Sequence, residues 1–165
     1  MSWWDIVLTI VNAIATVIAI ISAIRSKRYY KKCRALADHT NMSKALVEVE
    51  KMLNKISEAL LNTNINRQKR GRGMNIEKLI SEIGKELNDS YLEMHSCVPT
   101  DYASELFKLE NVRSFSLQIY INSYISGTVL NQGILDSDDY ANCQTQLMKM
   151  QDYLKEHIAK MPEKI

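Results

Sequence analysis

Seven residues near the N-terminus place polar or small groups where an apolar segment has little use for them. Asp5, Thr9, Asn12, Thr16, Ala19, Ala23 and Ser26 recur at intervals of four and three, the spacing that aligns side chains along one seam of a helix. No charged residue lies between Ile6 and Ile24. An amide and hydroxyls inside such a segment offer one chemistry, hydrogen bonding between helices, and alanines permit the close approach it needs. Several parallel copies would set Asn12 and Thr16 around one axis. Asp5 would then form an acidic ring at the outer mouth, and such rings favour cations. The plainer alternative is an anchor helix that tolerates Thr, Ala and Asn.

A second set is Arg67, Lys69, Arg70 and Arg72, in a polar, glycine-containing stretch over 62–75. Arginine grips phosphate through two parallel N–H donors. The set fits a nucleotide, an oligonucleotide or a lipid headgroup, or else it is a solvated connection between helices. Asp136, Asp138 and Asp139 would bind a cation or simply favour a helix start. His95 and Cys97 lie two apart, but zinc needs three or four ligands, and His39, His157 and Cys143 supply no second pair. No metal and no cofactor are expected. There is no phosphate-binding glycine loop, no H-E-x-x-H and no G-x-S-x-G. Gly71 and Gly73 flank Arg72 without a preceding strand. No residue nominates itself as catalytic, so the chain is not expected to be an enzyme.

The elements that must position these groups begin with the apolar segment itself. Ile6–Ile24 reaches about 28 Å as a helix, enough for a hydrocarbon core. Opposite the polar seam lie Val7, Val11, Ile14, Ile18 and Ile21, all branched. Met1 to Asp5 contain no base, which disfavours a cleaved signal peptide. Arg25, Lys27, Arg28, Lys31, Lys32 and Arg34 come after the span. The positive-inside rule therefore places residues 35–165 in the cytoplasm and the N-terminus outside. Trp3 and Trp4 suit the outer interface, Tyr29 and Tyr30 the inner one, and the bases set topology and meet anionic lipid.

The net charge of +2 conceals an asymmetry. Without Asp5 and the six juxtamembrane bases, 15 bases and 18 acids remain over 35–165, a net of −3. General nucleic-acid binding by that part is not indicated. Three cysteines, Cys33, Cys97 and Cys143, argue against a disulfide framework. Two prolines and five glycines are too few for a loop-rich β protein.

Beyond the span, Leu46, Val49, Leu53, Ile56 and Leu60 mark an amphipathic helix from Met42. It continues the span directly or after a break near Asp38 to Ser43. A second helix is expected from Ile76 to His95, with Ile76, Ile80, Ile83, Leu87, Tyr91 and Met94 inside. Pro99 marks a break, and Thr100 or Asp101 would cap the next helix. Residues 101–131 carry a helical stripe (Leu106, Leu109, Val112, Ile119) and a strand-like alternation (Phe115, Leu117, Ile119, Ile121). They are read as helix, because no partner strand is evident. Gly133, Asp136 and Ser137 mark a turn, and a last helix places Leu147, Met150, Leu154 and Ile158 inside, ending before Pro162. The fold class is all-α: one N-terminal transmembrane helix followed by a cytosolic antiparallel bundle of about four helices. The divisions are 1–28, the transmembrane helix with its flanks; 29–41, a basic juxtamembrane connector; and 42–165, the bundle, with the basic loop at 62–75.

This layout, a short single-span N-terminus before a small helical cytosolic domain, resembles the membrane effectors of bacterial antiphage defence, Hailong-type channel effectors among them. The resemblance implies subunits that oligomerise and disturb the inner membrane when a sensor triggers them. Some such effectors answer to nucleotide or DNA-oligomer signals from a partner nucleotidyltransferase. It concerns layout alone and carries over no functional residue. The expectation is an oligomeric membrane effector forming an ion channel or pore in the bacterial inner membrane. Its partners would be further copies of itself in parallel, the bilayer, a nucleotide or oligonucleotide signal and a sensor protein. One alternative is a membrane-tethered binding or scaffold module with a plain anchor. The other is a membrane-associated enzyme with no recognisable motif.

Overall fold

The computed structural model describes residues 2–68, 76–112, 115–128 and 138–161, with the backbone alone over 62–68. Its first element, α1, runs unbroken from Trp3 to Gln68, 66 residues, or about 99 Å of helix. The span and the first bundle helix are therefore one element, with no break near Asp38 to Ser43. The helix also continues past Asn62 into the stretch expected as a loop; residues 69–75 lie outside the described residues. The Val/Ile run of the span favours strand in water. A helix satisfies every backbone group within the segment, which is what a hydrocarbon core demands of any chain that crosses it.

Four more helices come after it among the described residues: α2 (Ile76–Cys97), α3 (Thr100–Glu110), α4 (Leu117–Ile125) and α5 (Asp138–Lys160). The fold is all-α apart from a small antiparallel pair, β1 (Asn111–Val112) with β2 (Phe115–Ser116). That pair corrects the continuous helix expected over 101–131, since Phe115–Ser116 finds its partner strand immediately upstream. Beyond it, Leu117, Tyr120, Ile121 and Tyr124 are buried on one face of α4, while Ile119 is exposed. The expected capping is also corrected. Thr100 is already the first helical residue, and Pro99 occupies the cap position without a side-chain bond. The Pro99 carbonyl accepts from Tyr102 N–H at 2.9 Å and Ala103 N–H at 3.1 Å. Gly133, Asp136, Ser137 and Pro162 lie outside the described residues.

The core sits where α1 packs against α2 and α5, with α2 also on α4 and α3 on α5. On α1 the fully buried positions are Met42, Ala45, Val49, Met52, Ile56 and Ala59, whereas Leu46, Leu53 and Leu60 are half-buried. Val49 and Ile56 of the expected stripe are thus buried, while the centre of the buried face is turned from its leucines toward two alanines, which let neighbouring helices approach. Gly84 performs the same service between α2 and α4. A Cβ there would stand 2.7 Å from the Ile125 nitrogen and 2.9 Å from Tyr124. Gly127 ends α4 at φ 71°, a left-handed conformation that glycine adopts without strain. On α2 the expected Ile80, Ile83, Leu87, Tyr91 and Met94 are buried, and on α5 Leu147, Met150 and Leu154 are, whereas Ile76 and Ile158, at the outer ends of these stripes, are half-buried.

Candidate functional site: the N-terminal helix and its polar seam

α1 is long and apolar enough in its N-terminal part to cross a membrane, and no residue of that window is buried by the rest of the chain. All seven seam residues lie on it and are exposed. The seam begins with a local tie: Ser2 N–H donates to Asp5 Oδ2 at 2.9 Å. Trp3 and Trp4 stand edge to face beside it, centroids 6.1 Å apart.

The seam hydroxyls do not all remain available. Thr9 Oγ1 donates to the Asp5 carbonyl at 2.7 Å, and Thr16 Oγ1 to the Asn12 carbonyl at 2.8 Å. Both threonines satisfy their donors within their own helix, a common device for hydroxyls in apolar helices. Asn12 differs. Its carboxamide offers two donors and an acceptor, and among the described residues nothing in the chain meets it. Two turns of helix thus hold two self-satisfied hydroxyls and one amide that is not.

Between the apolar segment and the first fully buried core residue, Met42, α1 is exposed through Arg34 and half-buried at Ala35, Asp38, His39 and Asn41. The six bases lie here, and Arg34 reaches Asp101 of α3 at 3.7 Å. Cys33 is exposed on the same stretch, while Cys97 and Cys143 are buried. Burial pushes the Cys143 thiol well up from its ordinary value.

Of the phosphate candidates, Arg67 lies in the last turn of α1 with its side chain outside the described residues. Lys69, Arg70 and Arg72 lie outside them altogether. Among the described residues no cluster of three acidic, His or Cys side chains is arranged to hold a metal ion. His95 and Cys97 point to different partners. His95 stacks on Phe107 at 4.6 Å, with its Nε2 2.9 Å from Glu110 Oε1, while Cys97 Sγ contacts Glu93.

The Glu110 cluster carries no sequence signal of its own. The carboxylate is buried and accepts from Tyr91 Oη at 3.1 Å. Burial, with Glu110 beside it, pushes the Tyr91 phenol upward. These contacts tie α2 to the end of α3 beside the small hairpin, a packing role that needs no ligand. A groove between α1 and α2 of about 680 Å³ is lined by Glu48, Lys51, Lys55 and Glu86, among others. Its ions are largely paired: Lys55 reaches Glu86 at 2.7 Å and Glu58 at 3.2 Å, and both raise the lysine's pKa.

Among the described residues, Gln146 Oε1 is buried without a hydrogen-bond partner, and the Asn12 amide is exposed on an apolar segment without one. The chain matches no protein-family profile, no curated protein and no solved structure.

Proposed function

We propose that this chain is an oligomeric membrane effector whose spans assemble in parallel, seam to seam, into an ion channel or pore of the bacterial inner membrane. The observation that carries the reading is Asn12. It sits within an uncharged, unburied apolar segment of α1 with its side-chain amide unmet, while Thr9 and Thr16 are bonded internally. A polar group at that depth is costly against lipid, and a neighbouring copy of the same seam supplies complementary donors and acceptors. The N-terminus lies outside, and the bundle lies in the cytoplasm, where it assembles subunits and receives a signal. The basic set Arg67, Lys69, Arg70 and Arg72 is the proposed contact for a nucleotide or oligonucleotide relayed by a sensor protein. The proposal is for an effector in antiphage defence, not an enzyme.

The test is single-particle imaging of the purified full-length protein in detergent, paired with ion flux from liposomes. Rotational symmetry with spans meeting at the axis, together with flux, is the expected result. A monomer that conducts under no condition, its native partner included, would sink the channel and leave a tethered module.

A further inference from the structure

The six bases after the span are divided between sides of α1. The branched seam Val7, Val11, Ile14, Ile18 and Ile21 continues at the same four-and-three spacing into Arg25, Arg28 and Lys32. Tyr29 lies four residues after Arg25 and three before Lys32, on the same side. These four side chains, all exposed on one face of a single helix, border a shallow, open cleft of about 430 Å³. Lys27, Lys31 and Arg34 fall on another side, where Arg34 leans toward Asp101.

We propose that this cleft binds one anionic phospholipid of the cytoplasmic leaflet. Arg25 and Arg28 hold its phosphate, and its acyl chains lie along Ile21, Ile18 and Ile14. The inference rests on α1 spanning a bilayer. Depth supports it: the polar layer on each side of a bilayer is roughly 5–8 Å thick. Arg25, Arg28 and Tyr29 fall within about 8 Å of Ile24 along the helix, with Lys32 just beyond. Chemistry supports it as well. Two guanidinium forks match phosphate oxygens in pairs, and a tyrosine presents an apolar ring and a polar tip suited to that layer. A zwitterionic headgroup would bring its own cation against three bases, so the occupant carries net negative charge. The acyl-facing seam leading into the cleft favours a lipid over a free phosphate.

The experiment titrates phosphatidylglycerol into the detergent-solubilised full chain and counts bound lipid by native mass spectrometry. Phosphatidylcholine and inorganic phosphate at matched ionic strength serve as comparison arms. Each base near an anionic headgroup is worth roughly fivefold in affinity. Arg25→Gln with Arg28→Gln should therefore weaken phosphatidylglycerol binding on the order of thirtyfold, and Arg28→Gln alone about fivefold. Lys27→Gln with Lys31→Gln removes the same charge from the other side and should cost far less. Equal losses from the two pairs would overturn the cleft, as would equal retention of phosphatidylcholine. Displacement of the lipid by inorganic phosphate would assign the site to a soluble anion instead. Partition of the unmodified protein into vesicles is measured separately. Failure there overturns the span and the cleft together, whereas intact partition with equal losses overturns the cleft alone.

Discussion

Replacing Asn12 with Leu tests the seam most directly, because the two side chains are similar in size and the amide is what disappears. The threonine hydroxyls on either side are already committed to the Asp5 and Asn12 carbonyls, so they cannot substitute for it. Interhelical polar contacts in membranes average about 0.6 kcal/mol and reach about 1.7. Their loss should raise the dissociation constant roughly 3-fold to 20-fold per helix contact. The monomer also sheds the cost of an amide facing lipid, which shifts the equilibrium in the same direction. Ile14→Leu on the branched seam exchanges one apolar side chain for another and should leave assembly nearly unchanged. Sedimentation equilibrium in detergent reads both variants on one scale. Equal shifts for the two, or an undisturbed Asn12→Leu assembly, would refute the reasoning.

Asp5→Asn should reduce cation preference in liposome flux, since it removes one negative charge per subunit at a single level of the axis. A reporter active only in the cytoplasm, fused at Ile165, should be active; a well-expressed but inactive fusion would reverse the topology. Gly84→Ala should lower the melting temperature. The added methyl meets the backbone of α4, and overpacking costs roughly 1–3 kcal/mol or more against a helix-propensity gain of about 1; a higher melting temperature would contradict the close approach. Thermal stability should decline above about pH 9, and more steeply above about pH 10. Burial raises the phenols of Tyr91, Tyr120 and Tyr124 in the folded chain above their ordinary 10.0 and the Cys143 thiol above its ordinary 9.0. The unfolded chain therefore loses these protons first, and stability present at lower pH is lost as pH climbs. A flat profile from pH 9 to 11 would count against that burial.

Long periodic elements are legible in the sequence, and short ones are not. The stripes of α2 and α5 appear in the core as spaced except at Ile76 and Ile158, which are half-buried, because each helix has one dominant apolar face. On α1 two adjacent faces compete. Val49 and Ile56 are buried as spaced, but where hydropathy favours Leu46, Leu53 and Leu60, packing two helices against one selects the alanine-bearing side, where Ala45 and Ala59 admit neighbours. A ranking of residues by hydrophobicity has no means of weighing that. The hairpin is hidden because Asn111 to Ser116 contain neither glycine nor proline, the residues that usually announce a turn. Tyr120 and Tyr124 complete the buried face of α4, with their hydroxyls 3.0 Å apart. Counting apolar aliphatics alone passes over such a pair. The seam itself is plain from spacing, whereas the inward bonding of its threonines depends on rotamers that spacing does not specify.

The unbroken course of α1 gives the molecule a fixed phase. Asn12 and Met42 share one helix and lie about 45 Å apart along its axis, so the angle between the seam and the core face is set by residue count alone. One residue inserted between Leu36 and Ala37 would turn the seam about 100° relative to the bundle, whereas seven would leave it within about 20° of where it began. The helix is in this sense a keyed shaft. A twist applied to the bundle is carried along one continuous helix toward Asn12, with no break in α1 between them.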